Sequence, residues 1–136
     1  MKKILYLLFF ISIVACAQNK NTNQEFKKEN MKNPEEMVKK LIEAMKVNDG
    51  NKIKSLFHEN ASQAYGDGPS KSGKKFFSWL DSDIIDRKGH VENAKYAVDG
   101  NSVVVTGQYS SIGYTNKANF LFSVKDGKIM SWQMRY

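Results

Sequence analysis

The chain has 136 residues, with 21 Lys and Arg against 14 Asp and Glu, two His and one Cys, and carries a formal charge of +7 at pH 7. A length of this order fits one domain, so a second is not expected, and a lone cysteine excludes an intramolecular disulfide. The basic excess (Lys39, Lys40, Lys46, Lys52, Lys54, Lys71, Lys74, Lys75) is scattered over several expected elements and forms no stripe interleaved with aromatics. A nucleic-acid partner is therefore not expected, and attraction to an anionic membrane surface is the more natural use of the charge.

Met1 to Lys3 give a short cationic start, Ile4 to Val14 an unbroken apolar run, and Ala15 a small residue before Cys16. This is the anatomy of a cleaved export signal. The run is shorter than the roughly 20 apolar residues of a membrane-spanning helix. Ile13-Val14-Ala15-Cys16 resembles the lipobox of bacterial lipoproteins. The resemblance implies cleavage before Cys16, acylation of its thiol, and a lipid anchor in a bacterial membrane of the cell envelope, on the periplasmic or outer face. Each buried methylene contributes about 0.8 kcal/mol, so two or three chains hold durably where one holds marginally. The expected organisation is a signal peptide over 1–15, a lipidated cysteine and tether over 16–32, and one domain over 33–136. Loss of Lys2 and Lys3 with the signal leaves 19 basic against 14 acidic residues, a charge of +5. From Ala17 to Lys32 the chain is almost wholly Asn, Gln, Lys and Glu. It reads as a flexible tether with an end-to-end distance of roughly 20–24 Å.

The first helix is announced by Asn33 as N-cap, Pro34 at the first helical position, and Glu36 where a capping box would place it. Met37, Val38, Leu41, Ile42 and Met45 share one stripe, opposite Lys39, Lys40, Glu43 and Lys46. Asn48-Asp49-Gly50-Asn51 stops this helix. Ile53, Leu56 and Phe57 then predict a shorter second helix ending near His58-Glu59-Asn60. Gly66-Asp67-Gly68-Pro69 breaks the chain again, Ser70 is the expected cap of a third helix, and Phe76, Phe77 and Leu80 form that helix's apolar side.

After Gly89 the period becomes two. His90 to Tyr96 and Ser102 to Tyr109 flank Asp99-Gly100-Asn101, and Lys117 to Val124 and Lys128 to Arg135 flank Asp126-Gly127, which predicts two hairpins. Helices first and strands after argue for an α+β domain, its N-terminal helices packed in a curved antiparallel sheet. Gly107 inside a strand predicts a bend or bulge, and a sheet so curved can wrap its helices into a cone with an interior cavity.

The order of elements, with Asn48-Asp49, Leu56-Phe57 followed by Ala61, Lys71-Ser72-Gly73, and Asp126-Gly127-Lys128-Ile129, resembles the nuclear transport factor 2-like superfamily, which includes SnoaL-like polyketide cyclases and ketosteroid isomerases. The resemblance covers Asn33 to Tyr136 and implies the cone-shaped fold. It also speaks against the best-known activity. Ketosteroid isomerases use a tyrosine and a protonated aspartate to hold a dienolate oxygen, and a carboxylate base to move the proton. Matched without gaps, those positions fall on Leu41, on Ala118 or Asn119, and on Tyr65. No catalytic residue is therefore assigned, and the domain is not expected to be an enzyme of that kind.

Tyr65, Trp79, Tyr109, Phe120 and Trp132 fall where chain ends and strand faces would converge on the mouth or wall of such a cone. In a cavity they would stack on a small, largely apolar ligand; the alternative is that they fill the core. Met130, Trp132, Met134 and Tyr136 alternate with Ser131, Gln133 and Arg135, which predicts an apolar face that packs inside or forms a homodimer or partner contact. Trp132 belongs to both readings. Asp81, Asp83 and Asp86 lack the glycine and bidentate glutamate of a calcium loop, and are expected to solvate the end of the third helix. His58 and His90 lie far apart with no zinc-ligand pattern, so neither metal nor cofactor is expected. His58 reads as a helix C-terminal residue favourable to the dipole, and, facing Tyr65 across a cavity, would be the base of a non-standard enzyme site.

Overall fold

A computed structural model describes residues 33–136. The signal, Cys16 and the tether lie outside the described residues. Helix α1 spans Pro34–Lys46, and Asn33 caps it as expected, its side-chain oxygen accepting from Glu35 N at 3.0 Å and Glu36 N at 3.5 Å. Met37, Val38, Leu41, Ile42 and Met45 are all buried, together with Ala44. That stripe lies against the inner face of the sheet, where it meets Val103, Val105, Phe122 and Ile129 in one core.

The second helix is shorter than the periodicity predicts. Helix α2 covers Gly50–Ser55, capped by Asp49, and the chain turns at once into strand β1, Phe57–Tyr65. Ile53, Leu56 and Phe57 have helical spacing, but pairing with the last strand decides the outcome, because tertiary contacts override a short apolar pattern. His58 is therefore a strand residue and not a helix terminus. Its Nδ1 accepts from Asn60 N at 3.0 Å within an irregular stretch of β1.

Ser70 does not cap the third helix. Lys71–Ser72 forms a short strand β2 against β1, and Gly73, at φ 58°, turns the chain into helix α3, Lys74–Trp79. The next turn, Leu80–Ile85, widens to π-helical hydrogen bonding, with Asp86 N on Asp81 O at 2.8 Å and Gly89 N on Ile84 O at 2.8 Å. Phe76, Leu80 and Ile84 are four residues apart and all buried. The widened turn carries this buried side on to Ile84.

Strands β3 (His90–Asp99), β4 (Ser102–Ser111), β5 (Tyr114–Lys125) and β6 (Lys128–Met134) follow as the two expected hairpins, also joined to each other along β4 and β5. The six-stranded sheet runs β2-β1-β6-β5-β4-β3. It is mixed, since β1 and β6 pair in parallel while every other pair is antiparallel. Gly107 sits at the expected irregularity, at φ 152°, opposite the point where the register of β3 slips between Glu92 and Lys95. A Cβ there would lie 2.6 Å from Glu92 O, so only glycine fits.

A second slip breaks the expected alternation of the last strand. Trp132 pairs with Phe122 and Ile129 with Val124, and both are fully buried although three residues apart. The bulge between them takes Met130 out of register, so Met130, Trp132, Met134 and Tyr136 do not form one apolar face. On the same sheet Ser72, Ser62, Ser131, Ser123 and Ser102 stand in one row across five strands, and the Ser123 and Ser131 hydroxyls hydrogen-bond each other.

Candidate functional site

The core is closed by aromatic side chains around Trp132. Its ring centroid lies 5.1 Å from Phe122, 5.2 Å from Trp79, 5.4 Å from Phe120 and 6.2 Å from Phe57, which in turn packs 4.9 Å from Phe76. At 0% exposure Trp132 is interior, not a wall open to a ligand. Its Nε1 and the neighbouring Nε2 of Gln63, aligned with it on β1, are buried donors without an acceptor among the described residues.

Beyond Phe120 the space opens. A pocket of about 320 Å³ lies between the π-helical turn, the end of β4, the start of β5 and the end of β6. Ile84, Tyr109, Phe120 and Met134 give it an apolar wall. Tyr109 and Phe120 are 7% and 5% exposed and meet edge to face at 5.7 Å. Tyr109 is seated over Gly89: a Cβ there would meet its hydroxyl, and would lie 2.9 Å from Cζ. Burial pushes the Tyr109 phenol above the usual range, opposed by its hydrogen bond with Ser111 and the nearby Arg87 charge.

The rim is polar. Tyr65, 41% exposed, accepts a hydrogen bond from Trp79 Nε1 at 2.8 Å and donates to Asp83 Oδ2 at 3.4 Å. Ser82 Oγ donates to the other Asp83 oxygen at 2.9 Å. Burial pushes the Tyr65 phenol up, the Trp79 N–H opposes that shift, and the Asp83 charge adds to it. Lys71 Nζ lies 4.9 Å from the Tyr65 ring and donates to Gln63 Oε1 at 2.8 Å, which fixes the ring from behind. Arg87, Lys117 and Arg135 complete the rim, and among the described residues none of the three forms a salt bridge.

Of the five aromatics expected at a cavity, the fold brings Tyr65, Tyr109 and Phe120 to the pocket. Trp79 is 5% exposed and stands behind Tyr65, which it positions; Trp132 fills the core. Leu41 and Ala118 are buried, and Asn119 turns away to accept from Arg135 Nε at 3.1 Å and Nη2 at 2.8 Å. His58 does not line the pocket, so the pairing of His58 with Tyr65 is not formed. Asp83 stands by Tyr65 instead, where the sequence suggested only a solvated helix end. Asp81 binds Lys54 at 2.6 Å, and the aspartates do not gather: no group of three or more His, Cys, Asp or Glu among the described residues could hold a metal ion. Asp83 was marked in the sequence only as one of three aspartates near a helix end. Arg87, Lys117 and Arg135 carried no signal.

No protein-family model and no curated protein matches the sequence. Solved structures do resemble the fold. A nuclear transport factor 2-like protein of unknown function from Cytophaga hutchinsonii superposes with a TM-score of 0.65 at 20% identity, over 75% of this chain and 88% of that one. The epoxide hydrolase/cyclase-like enzyme SalBIII, with a role in pyran ring formation in the polyether salinomycin, gives 0.64 at 20% identity over 75% and 88%. A protein with a ketosteroid isomerase-like fold from Catenulispora acidiphila, in complex with trimethylamine, gives 0.60 at 19% identity over 74% and 85%. The chain thus has the nuclear transport factor 2-like fold, and these likenesses carry the fold alone.

Proposed function

We propose that the protein is a lipoprotein of the bacterial cell envelope, held by acylated Cys16, whose one domain binds a small molecule of largely apolar body at the open end of a cone-shaped sheet. The observation that carries the binding reading is the pocket of about 320 Å³ walled by Ile84, Tyr109, Phe120 and Met134 beside a polar rim. An apolar wall with a few polar groups that orient the ligand is the usual composition of a small-molecule site, and the volume lies at the small end of its range. The aromatic packing around Trp132 keeps the ligand at the mouth, so its polar end stays near water. The lipid anchor rests on the sequence Ile13-Val14-Ala15-Cys16 and the polar tether behind it.

A second reading, an enzyme with a non-standard site, is favoured by one observation. The Tyr65 hydroxyl lies between the Trp79 N–H and the Asp83 carboxylate at the edge of the pocket, a phenol held as hydrogen-bond donor beside a potential base. Native mass spectrometry of the full-length protein, released from mild detergent after purification from its own host, tests the binding reading. A reproducible added mass, lost when Phe120→Trp fills the pocket, supports it, and bare protein from several preparations overturns it. Cys16→Ser should move the protein from the membrane to the soluble fraction; unchanged membrane retention would refute the anchor. Under the enzyme reading Asp83→Asn abolishes turnover of the bound compound.

A further inference from the structure

We propose, building on the reading of the pocket as a ligand site, that its ligand carries one carboxylate and is held by that group at the cationic rim, with its apolar body against Tyr109, Phe120 and Met134. The charge balance at the mouth carries this inference. Three cationic side chains, Arg87, Lys117 and Arg135, line the pocket against one carboxylate side chain, Asp83. Asp83 is already engaged, one oxygen by Ser82 Oγ at 2.9 Å and the other by the Tyr65 hydroxyl at 3.4 Å. The cations keep donors to spare. Arg87 uses Nη2 on Ile112 O at 3.0 Å and Arg135 uses Nε and Nη2 on Asn119 Oδ1, which leaves each guanidinium further N–H groups, and none of the three cations forms a salt bridge among the described residues.

Both arginines are tied to the protein by those hydrogen bonds; Arg135 is held towards Asn119, outside the pocket lining, so Arg87 and Lys117 are the cations best placed for the ligand. An N–H fork is matched best by a planar oxygen pair, and charge-assisted bonds of this kind are about twice as strong as neutral ones. A primary amine, by contrast, would find an anion whose acceptor positions are partly used and three like charges beside it. Size narrows the class further. At about 320 Å³ the pocket lies at the small end of the range for small-molecule sites. The ligand class is therefore a small monocarboxylate with an aromatic or short branched apolar body.

The test compares three probes of one shape: 3-phenylpropionate, 3-phenylpropan-1-ol and 3-phenylpropylamine. Each is titrated calorimetrically into the full lipidated protein in lipid nanodiscs, with empty nanodiscs as the reference. The expected order is carboxylate first, by at least about 10-fold over the alcohol, which corresponds to the lower range of hydrogen bonds to charged groups, and the amine last. The preference should shrink in high salt. In Arg87→Gln/Lys117→Gln the carboxylate should lose its preference over the alcohol. Equal binding of carboxylate and alcohol, or an amine bound tightest, overturns the inference and leaves the pocket reading standing. Failure of all three probes to bind above empty nanodiscs overturns both.

Discussion

Replacing Gly89 with alanine would place one methyl group against the hydroxyl end of Tyr109, 2.9 Å from Cζ and 3.1 Å from Cε2. Contacts under about 3.0 Å between carbons lie far inside the attractive minimum near 3.5–4.0 Å, so something must move. The tyrosine is rigid beyond two torsions, and behind it stand Phe120, edge to face at 5.7 Å, and Tyr114 at 6.2 Å. Its exit is into the pocket. Overpacking of this kind costs about 1–3 kcal/mol, which for a domain of this size lowers Tm by about 4–8 °C per kcal/mol. Thermal unfolding followed by circular dichroism, on full-length protein in mild detergent, measures the loss. The same change made in Tyr109→Phe should cost less, because the phenol oxygen that meets the new methyl is gone, and the coupling between the two changes should fall within about 0.5–3 kcal/mol. A Gly89→Ala protein with unchanged Tm, or a cost identical in both backgrounds, would refute the account of how Tyr109 is seated.

Trp79→Phe removes the N–H that Tyr65 accepts at 2.8 Å; it should destabilise by about 0.5–1.5 kcal/mol and push the Tyr65 phenol further up, read as a later rise in tyrosinate absorbance on alkaline titration. Tyr109 keeps its proton to higher pH folded than unfolded, because burial raises its pKa. The stability linked to that difference is complete below about pH 10 and is lost as pH rises through the folded value, so denaturant unfolding should weaken less steeply above about pH 10 in Tyr109→Phe than in the parent. Trp132→Ala, at the centre of four packed aromatic rings, should cost about 3–5 kcal/mol, a large part of the roughly 5–15 kcal/mol typical of a domain; a Tm close to the parent's would mean that the cluster around it repacks.

The legible parts of this fold were those governed by local rules. Asn33-Pro34 and the stripe from Met37 to Met45 specify a capped amphipathic helix whatever it packs on, and Asp99-Gly100-Asn101 and Asp126-Gly127 specify hairpins by turn chemistry. Gly107 pointed correctly to an irregularity because few other reasons place glycine inside a strand. What stayed hidden depends on partners remote in sequence. β1 reads as the end of a helix because Phe57 continues an apolar spacing and His58, Glu59 and Asn60 are polar; only β6, some seventy residues later, makes it a strand. The bulge that removes Met130 from the face of Trp132 is likewise invisible to a rule of strict alternation. The site divides in the same way. That Tyr65, Tyr109 and Phe120 line a pocket was legible from chemical type, while Asp83 and Arg87 reach its mouth through a widened helical turn, and Lys117 and Arg135 through strand ends whose meeting is a property of the whole sheet.

The parallel pairing of β1 with β6 also sets an order of events. The hairpins β3–β4 and β5–β6 are local in sequence and can form as soon as their own residues are free. β1 has only the two residues of β2 to pair with until the last strand arrives. Parallel contacts between the ends of a domain close slowly, because the loop entropy is lost before the contacts form. Trp132 lies on that last strand, so the aromatic cluster and the mouth above it are completed only when the final residues are available to pair. A chain still being synthesised would therefore hold preformed hairpins and an unfinished core, and the pocket would be among the last features to appear.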